Sequence, residues 1–190
     1  MNLTERVILV DQFDNELGVA EKIEAHNRGL LHRAFSIFVF DSADRLLIQK
    51  RAIGKYHSGG LWSNSCCGHP RPGELTISAA ERRLREELGF SCSLRPVFDF
   101  VYRAEVDRGM TEHEFDHIFI GRSDVVPAPN PTEIDDYKWI DFRFLKQDVS
   151  LRPDQYTLWL RTALDANYWD EVGLTGSDEN LHVPGPAHAG

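Results

Sequence analysis

The sequence contains few cysteines and no long apolar run. Its three cysteines are Cys66, Cys67 and Cys92, an odd number, and the first two are neighbours that would form a strained disulfide. A reducing, cytoplasmic setting is therefore expected. No stretch approaches the ~18 apolar residues of a membrane span, and the N-terminal segment lacks the basic start and apolar core of a signal peptide. These absences predict a soluble protein that makes no use of a membrane.

Positive charge is also scarce. The chain has 21 Lys and Arg residues against 30 Asp and Glu residues, which gives a formal net charge of -9. This excess of acid argues against general binding to a nucleic-acid backbone. An anionic ligand would need a metal ion and a few locally gathered cations. We therefore expect a small-molecule partner, no nucleic acid, and a monomer or weak homodimer.

The length of 190 residues and the ordinary composition fit one domain, which we place at residues 1–172. The polar segment 173–190, rich in Gly and Pro, is predicted to be disordered. Runs of β-branched and aromatic residues predict strands at 7–10, 34–40, 46–48, 97–102, 114–121 and 137–140, with a hairpin turn at 41–44.

Two helices are predicted. Apolar residues four apart indicate a helix over 74–88, and a second helix is expected over 153–169. The first helix has capping-box spacing at Ser78 and Glu81, although a start nearer Glu74 fits equally well. Strands flanked by separated helices predict an α/β sandwich around a mixed sheet.

The segment 68–90 carries the most specific pattern. It reads GHPRPGELTISAAERRLREELGF and resembles the Nudix box. The residues in register are Gly68, Glu74, Arg82, Leu84, Glu86, Glu87, Gly89 and Phe90. Carboxylates on one side of a helix can hold Mg²⁺, which in turn binds diphosphate oxygens. One position departs, because Arg83 stands where the family has a metal-binding glutamate. A cation there favours holding a diphosphate over hydrolysing it.

Further motifs make the chain similar to the type I isopentenyl-diphosphate isomerases, which share the Nudix fold. These motifs are LHRAF at 31–35, WSNSCCGHP at 62–70, YRA at 102–104, EHE at 112–114 and PDQYTLW at 153–159. The resemblance runs from about Thr4 to Trp169. It implies a Nudix-like α/β/α sandwich and the isomerisation of isopentenyl diphosphate to dimethylallyl diphosphate in isoprenoid biosynthesis. The implied route is antarafacial protonation and deprotonation through a tertiary carbocation.

The resemblance also implies catalytic roles. Cys67 and Glu114 would transfer the protons on opposite faces of the substrate, and Tyr102 would hydrogen-bond Glu114. Trp159 would close over the hydrocarbon end, where an indole face stabilises a cation by roughly 0.5–2 kcal/mol. Cys66 is a rival to Cys67, since only the register against the Gly-His-Pro motif separates them. Either aromatic ring could instead fill the core.

Two metal ions are implied as well. The first, Mn²⁺ or Zn²⁺, would be held by five residues, namely His26, His32, His69, Glu112 and Glu114. Imidazoles with carboxylates suit these ions better than Mg²⁺. A second ion, Mg²⁺, is expected between Glu87, the backbone carbonyl of Cys67 and the diphosphate. The family's diphosphate-contacting cations match Lys22, Arg51, Lys55 and Arg83. No motif supports a ligand role for His57, His113 or His117.

Two other hypotheses remain open at this point. The chain could be a Nudix hydrolase of nucleoside or other diphosphates, or a non-catalytic binding module on a degenerate Nudix fold. Arg83 and the Cys67–His69 constellation argue against the hydrolase. The number of metal-ligand residue types argues against the binding module.

Overall fold

A computed structural model of the protein describes residues 5–166 and Trp169, so the predicted disordered segment 173–190 lies outside the described residues. The strands are β1 (Arg6–Val10), β2 (Glu16–Glu21), β3 (His32–Phe40), β4 (Arg45–Arg51), β5 (Trp62–Ser63), β6 (Cys66–Gly68), β7 (Leu94–Glu105), β8 (Thr111–Arg122) and β9 (Ile134–Asp141). The helices are α1 (Lys22–Arg28), α2 (Thr76–Leu88), α3 (Phe142–Leu151) and α4 (Leu158–Asp165). No helix in this described part is long and apolar enough to cross a bilayer.

Strand β3 lies at the centre of a mixed sheet. Along one edge it pairs in parallel with β8, from His32 opposite Glu114 to Phe40 opposite Arg122. Along the other edge it meets β1, β6 and β4 in turn, all antiparallel. Because β6 pairs with β3 and β5 pairs with β4, the predicted β3–β4 hairpin is joined only at its closed end, where Phe40 faces Leu46.

Helices cover both faces of the sheet. Successive β3 side chains point to opposite faces, so Ile37 packs with Leu84 and Leu88 of α2, whereas Phe38 packs in the other layer with Leu145 of α3 and Leu160 of α4. This arrangement confirms the predicted α/β/α sandwich around a mixed sheet.

The start of α2 differs from the prediction. The helix begins at Thr76, with Leu75 as an N-cap that makes no side-chain hydrogen bond, so the capping box at Ser78 and Glu81 is wrong. Glu74 lies before the helix, where its carboxylate accepts hydrogen bonds from the Arg71 backbone N–H and the Arg82 guanidinium, both at 2.8 Å. The helix ends as expected at Gly89, whose φ of 74° is left-handed.

The predicted second helix is divided. A short 3₁₀ turn at Pro153–Gln155 precedes α4, and the chain between them is extended. Tyr156 bridges to Trp62, and the Thr157 backbone N–H donates to the Trp62 carbonyl at 2.9 Å. These sheet-like contacts interrupt the helix and attach the start of α4 to β5. Helices α1 and α3 were not predicted.

We expect Leu84→Ala to lower the free energy of unfolding by about 2–5 kcal/mol, the range for a fully buried leucine. Leu84 is 0% exposed in the layer between α2 and the sheet. The matched control is Leu75→Ala, since Leu75 is 72% exposed at the same helix's N-cap and should change stability by less than about 0.5 kcal/mol. Urea unfolding of both variants measures the difference, and equal losses would contradict the assigned packing.

Candidate active site

Residues from β6, β7, β8, α2 and α4 line one pocket. Its wall includes every predicted proton-transfer, aromatic and cationic residue, namely Cys67, Tyr102, Glu114, Trp159, Lys22, Arg51, Lys55 and Arg83. Of the predicted metal ligands, Glu87, Glu112 and His69 also line it, whereas His26 and His32 are fully buried behind Glu112 and Glu114. Segments far apart in the sequence are therefore brought to one place.

The register of β6 separates the two neighbouring cysteines. Cys67 lies opposite Ser36 and Cys66 opposite Ile37 on β3, so the two side chains point to opposite faces of the sheet. Cys66 is buried in the layer under α2, whereas Cys67 is partly exposed in the pocket beside Trp159 and Tyr102. Burial raises the pKa of the Cys67 thiol to about 12, against a lowering effect of Arg51, so this thiol is neutral.

Glu114 lies between an aromatic hydroxyl and two imidazoles. The Tyr102 hydroxyl donates to Glu114 Oε2 at 2.6 Å, while Oε1 lies 2.8 Å from His69 Nε2 and 3.6 Å from His32 Nε2. Burial alone would raise the pKa of Glu114, but its contacts with His32 and His69 outweigh burial and lower the pKa well below its usual range. Glu114 is therefore ionised. Burial lowers the pKa of His69 to about 4.

Three imidazoles converge on this carboxylate. His26 Nδ1 lies 2.6 Å from the Lys22 carbonyl and His32 Nδ1 lies 2.8 Å from the Leu30 carbonyl. Since a carbonyl only accepts, both Nδ1 atoms carry a proton, and Nε2 is the nitrogen that the neutral ring offers to a metal ion. The Nε2 atoms of His32 and His69 are 3.2 Å apart. Metal-binding histidines use this same arrangement, with a carbonyl fixing the tautomer.

This donor set fits a divalent cation. One ligand atom each from His26, His32, His69 and Glu114 lies within 4.8 Å of all the others. In addition, His26 Nε2 and Glu112 Oε2 are buried without a hydrogen-bond partner among the described residues. Buried polar atoms normally find a partner, and a cation would satisfy these atoms.

The fifth predicted ligand lies in a different group. Glu112 forms a second set with His26 and His57, whose donor atoms are again within 4.8 Å of one another. Its Oε1 is 2.7 Å from His57 Nε2 and its Oε2 is 3.1 Å from His26 Nε2. His57 had no motif support in the sequence, yet it is as buried as the predicted ligands.

The predicted diphosphate cations are each close to an acidic or aromatic group. Lys22 pairs with Glu5 at 3.0 Å, and Lys55 pairs with Glu133. The Arg51 guanidinium lies 5.0 Å from the centre of the Trp159 ring, within cation–π range. Its Nε is buried without a hydrogen-bond partner among the described residues. Arg51 is thus a buried cation of the pocket whose Nε–H is available to donate to a ligand.

Arg83 occupies the departing position of the Nudix box and pairs with carboxylates on both sides. Its guanidinium contacts Glu87 one turn along α2, Glu86 at 2.9 Å and Glu133 at 3.3 Å. Gln49 donates to the second oxygen of Glu87 at 3.0 Å. A Cβ at the neighbouring Gly68 would lie 3.2 Å from the Phe35 ring, which is tight, and 3.6 Å from Arg83 Cγ, which is an ordinary contact.

Trp159 is held by its indole N–H. Trp159 Nε1 donates to Ser63 Oγ at 2.9 Å, and the ring packs with Tyr102, Ala104 and Cys67. The β5 strand thus fixes the ring at the pocket wall, where it is almost fully buried. The indole serves both as packing and as a pocket surface.

Asp116 is a buried acid that sequence reasoning did not identify. It follows Glu112 and Glu114 at the same two-residue spacing on β8, and this alternation was the signal that could have found it. Ser36 Oγ donates to Asp116 Oδ2 at 2.9 Å, while Oδ1 is buried without a hydrogen-bond partner in the described part of the chain. Burial, with the nearby charge of Glu114, raises the pKa of Asp116 well above its usual range.

Comparison with known proteins defines the class. The NUDIX domain family model matches residues 30–160. A crystal structure of a Deinococcus radiodurans protein superposes with a TM-score of 0.69 at 24% identity, covering 84% of this chain and 97% of that chain. This likeness shows a shared fold. The chain is thus a NUDIX-domain protein.

Curated relatives narrow the class further. Isopentenyl-diphosphate Delta-isomerase 2 of Aromatoleum aromaticum is 57% identical over 163 residues, which are 86% of this chain and 86% of that protein. Isopentenyl-diphosphate Delta-isomerase of Burkholderia multivorans is 53% identical, over 86% of this chain and 93% of that protein. The chain belongs to the isopentenyl-diphosphate Delta-isomerase family, which confirms the resemblance seen in the motifs.

We expect Asp116→Asn to become more stable than the wild-type protein as the pH rises. An aspartate in the unfolded chain has a pKa of about 3.9, whereas the pKa of Asp116 in the folded protein is higher. At a pH above about 3.9, folding is therefore accompanied by the uptake of a proton. The stability from the neutral acid is complete below that pH and is lost as the pH rises through the folded-state pKa. The slope is up to about 1.4 kcal/mol per pH unit. Asparagine stays neutral and escapes this loss.

Urea unfolding in EDTA, from about pH 5 to about pH 8, measures the difference in free energy of unfolding between Asp116→Asn and the wild-type protein. This difference is the gap that should widen with pH. Asp165→Asn is the control, since Asp165 is exposed, and its gap to wild type should stay constant. A pH-independent gap for Asp116→Asn would show that Asp116 is ionised in the folded protein.

Proposed function

We propose that this protein interconverts isopentenyl diphosphate and dimethylallyl diphosphate. The observation that carries the proposal is that a cysteine thiol and a glutamate carboxylate line one pocket. Cys67 comes from β6 and Glu114 from β8, which pair with the two opposite edges of β3. A flat hydrocarbon between them would have one proton-transfer group on each side.

The chemistry requires this pairing. A proton added to the terminal alkene carbon of isopentenyl diphosphate creates a tertiary carbocation at the adjacent carbon. Loss of a proton from the next carbon toward the diphosphate then forms the internal double bond. One proton enters and one leaves, so the enzyme needs an acid and a base of opposite protonation state. The raised pKa of Cys67 and the lowered pKa of Glu114 supply that difference.

Tyr102 and Trp159 would assist the charged intermediate. The Tyr102 hydroxyl, 2.6 Å from Glu114, orients the carboxylate and can relay the proton that Glu114 takes up. The Trp159 indole would stabilise a carbocation through its ring face, and its packing against Tyr102 and Cys67 would exclude water. Water reaching the cation would convert it to an alcohol.

The diphosphate would be bound by the cations of the pocket, namely Lys22, Arg51, Lys55 and Arg83. Two divalent ions are part of the proposal: Mn²⁺ or Zn²⁺ at the histidine group, and Mg²⁺ between Glu87, the Cys67 carbonyl and the diphosphate. When bound, these ions would supply charge neutralisation and lower the pKa of the Glu114 carboxyl. The Glu87–Arg83 pair argues against hydrolysis, since the cation offsets negative charge that a hydrolytic metal cluster needs.

Proton exchange tests the proposal directly. The protein is incubated with isopentenyl diphosphate, Mg²⁺ and Mn²⁺ in D₂O and followed by NMR. We expect dimethylallyl diphosphate that carries deuterium, because the added proton comes from an exchangeable group. Free phosphate would instead indicate a hydrolase, and unchanged substrate would rule out both activities.

We expect Cys67→Ala and Glu114→Gln each to lower kcat by at least about 10²–10⁴-fold, the range for loss of a general acid or base. Cys92→Ala is the matched control, because Cys92 lies against Gly121 at the far end of β8. Its kcat should match that of the wild-type protein. Near-normal turnover by Cys67→Ala would remove this thiol from the mechanism.

A further inference from the structure

His57 is an imidazole in the pocket that none of the family motifs supplies. It lies in the loop between β4 and β5, yet it is only 2% exposed. Its ring lies edge-on to the rings of Tyr56 and Trp159, with ring centres 4.2 Å and 5.8 Å apart. Its backbone carbonyl accepts a hydrogen bond from the Arg51 guanidinium at 3.3 Å. A polar ring at this depth in a loop, held on three sides, needs a partner for its inner nitrogen.

That nitrogen faces Glu112 without a hydrogen bond. His57 Nε2 is 2.7 Å from Glu112 Oε1, but it is a buried nitrogen with no hydrogen-bond geometry to any described residue. His26 Nε2 and Glu112 Oε2, 3.1 Å apart, share this property. Three polar atoms are thus close together, buried and not aligned with one another. Donor atoms that converge on a common ion have this geometry.

The tautomers strengthen this point. His26 Nδ1 is committed to the Lys22 carbonyl, so Nε2 is the nitrogen of this ring that is available to a metal ion. His57 Nδ1 is 3.2 Å from the Ser58 hydroxyl, which can accept a hydrogen bond from Nδ1–H, so Nε2 is the nitrogen of this ring that faces Glu112.

The two donor groups share one atom. His26 Nε2 belongs both to the group with His32, His69 and Glu114 and to the group with His57 and Glu112. One imidazole lone pair binds one ion, so the groups serve a single ion rather than two. Together they offer four nitrogens and two carboxylates, the number of donors in octahedral coordination. The six donor atoms do not all lie within 4.8 Å of one another, so a single ion would draw the two groups together.

We propose that His57 is a sixth protein ligand of the divalent ion at the histidine site. Four imidazoles then surround this ion, which favours Mn²⁺, Co²⁺ or Zn²⁺ over Mg²⁺. Six protein donors leave no coordination position for the diphosphate. The ion therefore holds Glu112 and Glu114 in place, and the substrate's phosphates bind elsewhere in the pocket. This inference extends the metal site of the proposed function.

Pulsed electron paramagnetic resonance of the Mn²⁺-loaded full-length protein, without substrate, counts the imidazole nitrogens on the ion. We expect four nitrogens in the wild-type protein and three in His57→Gln. Mn²⁺ affinity, measured by competition with a chelating dye, should fall by about 10-fold or more in the variant. The matched control is His117→Gln, whose imidazole pairs with Asp14 and Asp99 outside the pocket. It should keep four nitrogens and full affinity.

Three nitrogens in the wild-type protein would overturn the proposal, whether or not the His57 variant folds. An unchanged nitrogen count in a folded His57→Gln would do the same. So would a doubly protonated His57, seen as a histidine signal that shows no coupling to Mn²⁺. The measurement is independent of turnover. A protein with four nitrogens and no deuterium exchange would refute the proposed function and leave this ligand assignment standing.

Discussion

The register between β3 and its neighbours is the constraint on which the site depends. On one edge His32 faces Glu114, and on the other Ser36 faces Cys67. Because side chains alternate along a strand, a slip of one residue in either pairing would turn its whole set to the opposite face. Phe35 and Ile37 pack under α2 between these polar residues, so the apolar layer and the polar pocket layer specify the same register.

The same register concentrates buried charge, which opposes folding. Glu112, Glu114 and Asp116 occupy consecutive inward positions of β8 in a chain of net charge -9. Burying such a row is costly unless each acid is neutral or paired. Asp116 meets this condition through its raised pKa, and Glu114 through its contacts with Tyr102 and the imidazoles. Glu112 keeps one oxygen without a hydrogen-bond partner among the described residues, so a cation bound there would offset part of the cost of burying this acidic row.

Sequence patterns predicted the fold class and most of the residues that the structure brings into the pocket, because the motifs are local and their spacing is fixed. They did not predict what depends on distant contacts. The start of α2 depends on Glu74 reaching Arg82, and the break before α4 depends on Trp62. His57 lies in a loop without periodicity, and only the folded chain brings it to Glu112. The choice between Cys66 and Cys67 likewise needed the register of β6.

In the proposed function, Arg83 is the position at which this shared fold changes its chemistry. The NUDIX scaffold still provides Glu87 on α2, beside the Cys67 strand, but the cation one turn earlier pairs with it and with Glu133. Hydrolysis needs carboxylates free to gather metal around an attacking water. A site that holds Glu87 with Arg83 and Gln49 instead limits the charge available there, which favours one ion that neutralises a diphosphate. The fold therefore permits both chemistries, and the pairing of this glutamate favours keeping the diphosphate intact while protons move elsewhere in the pocket.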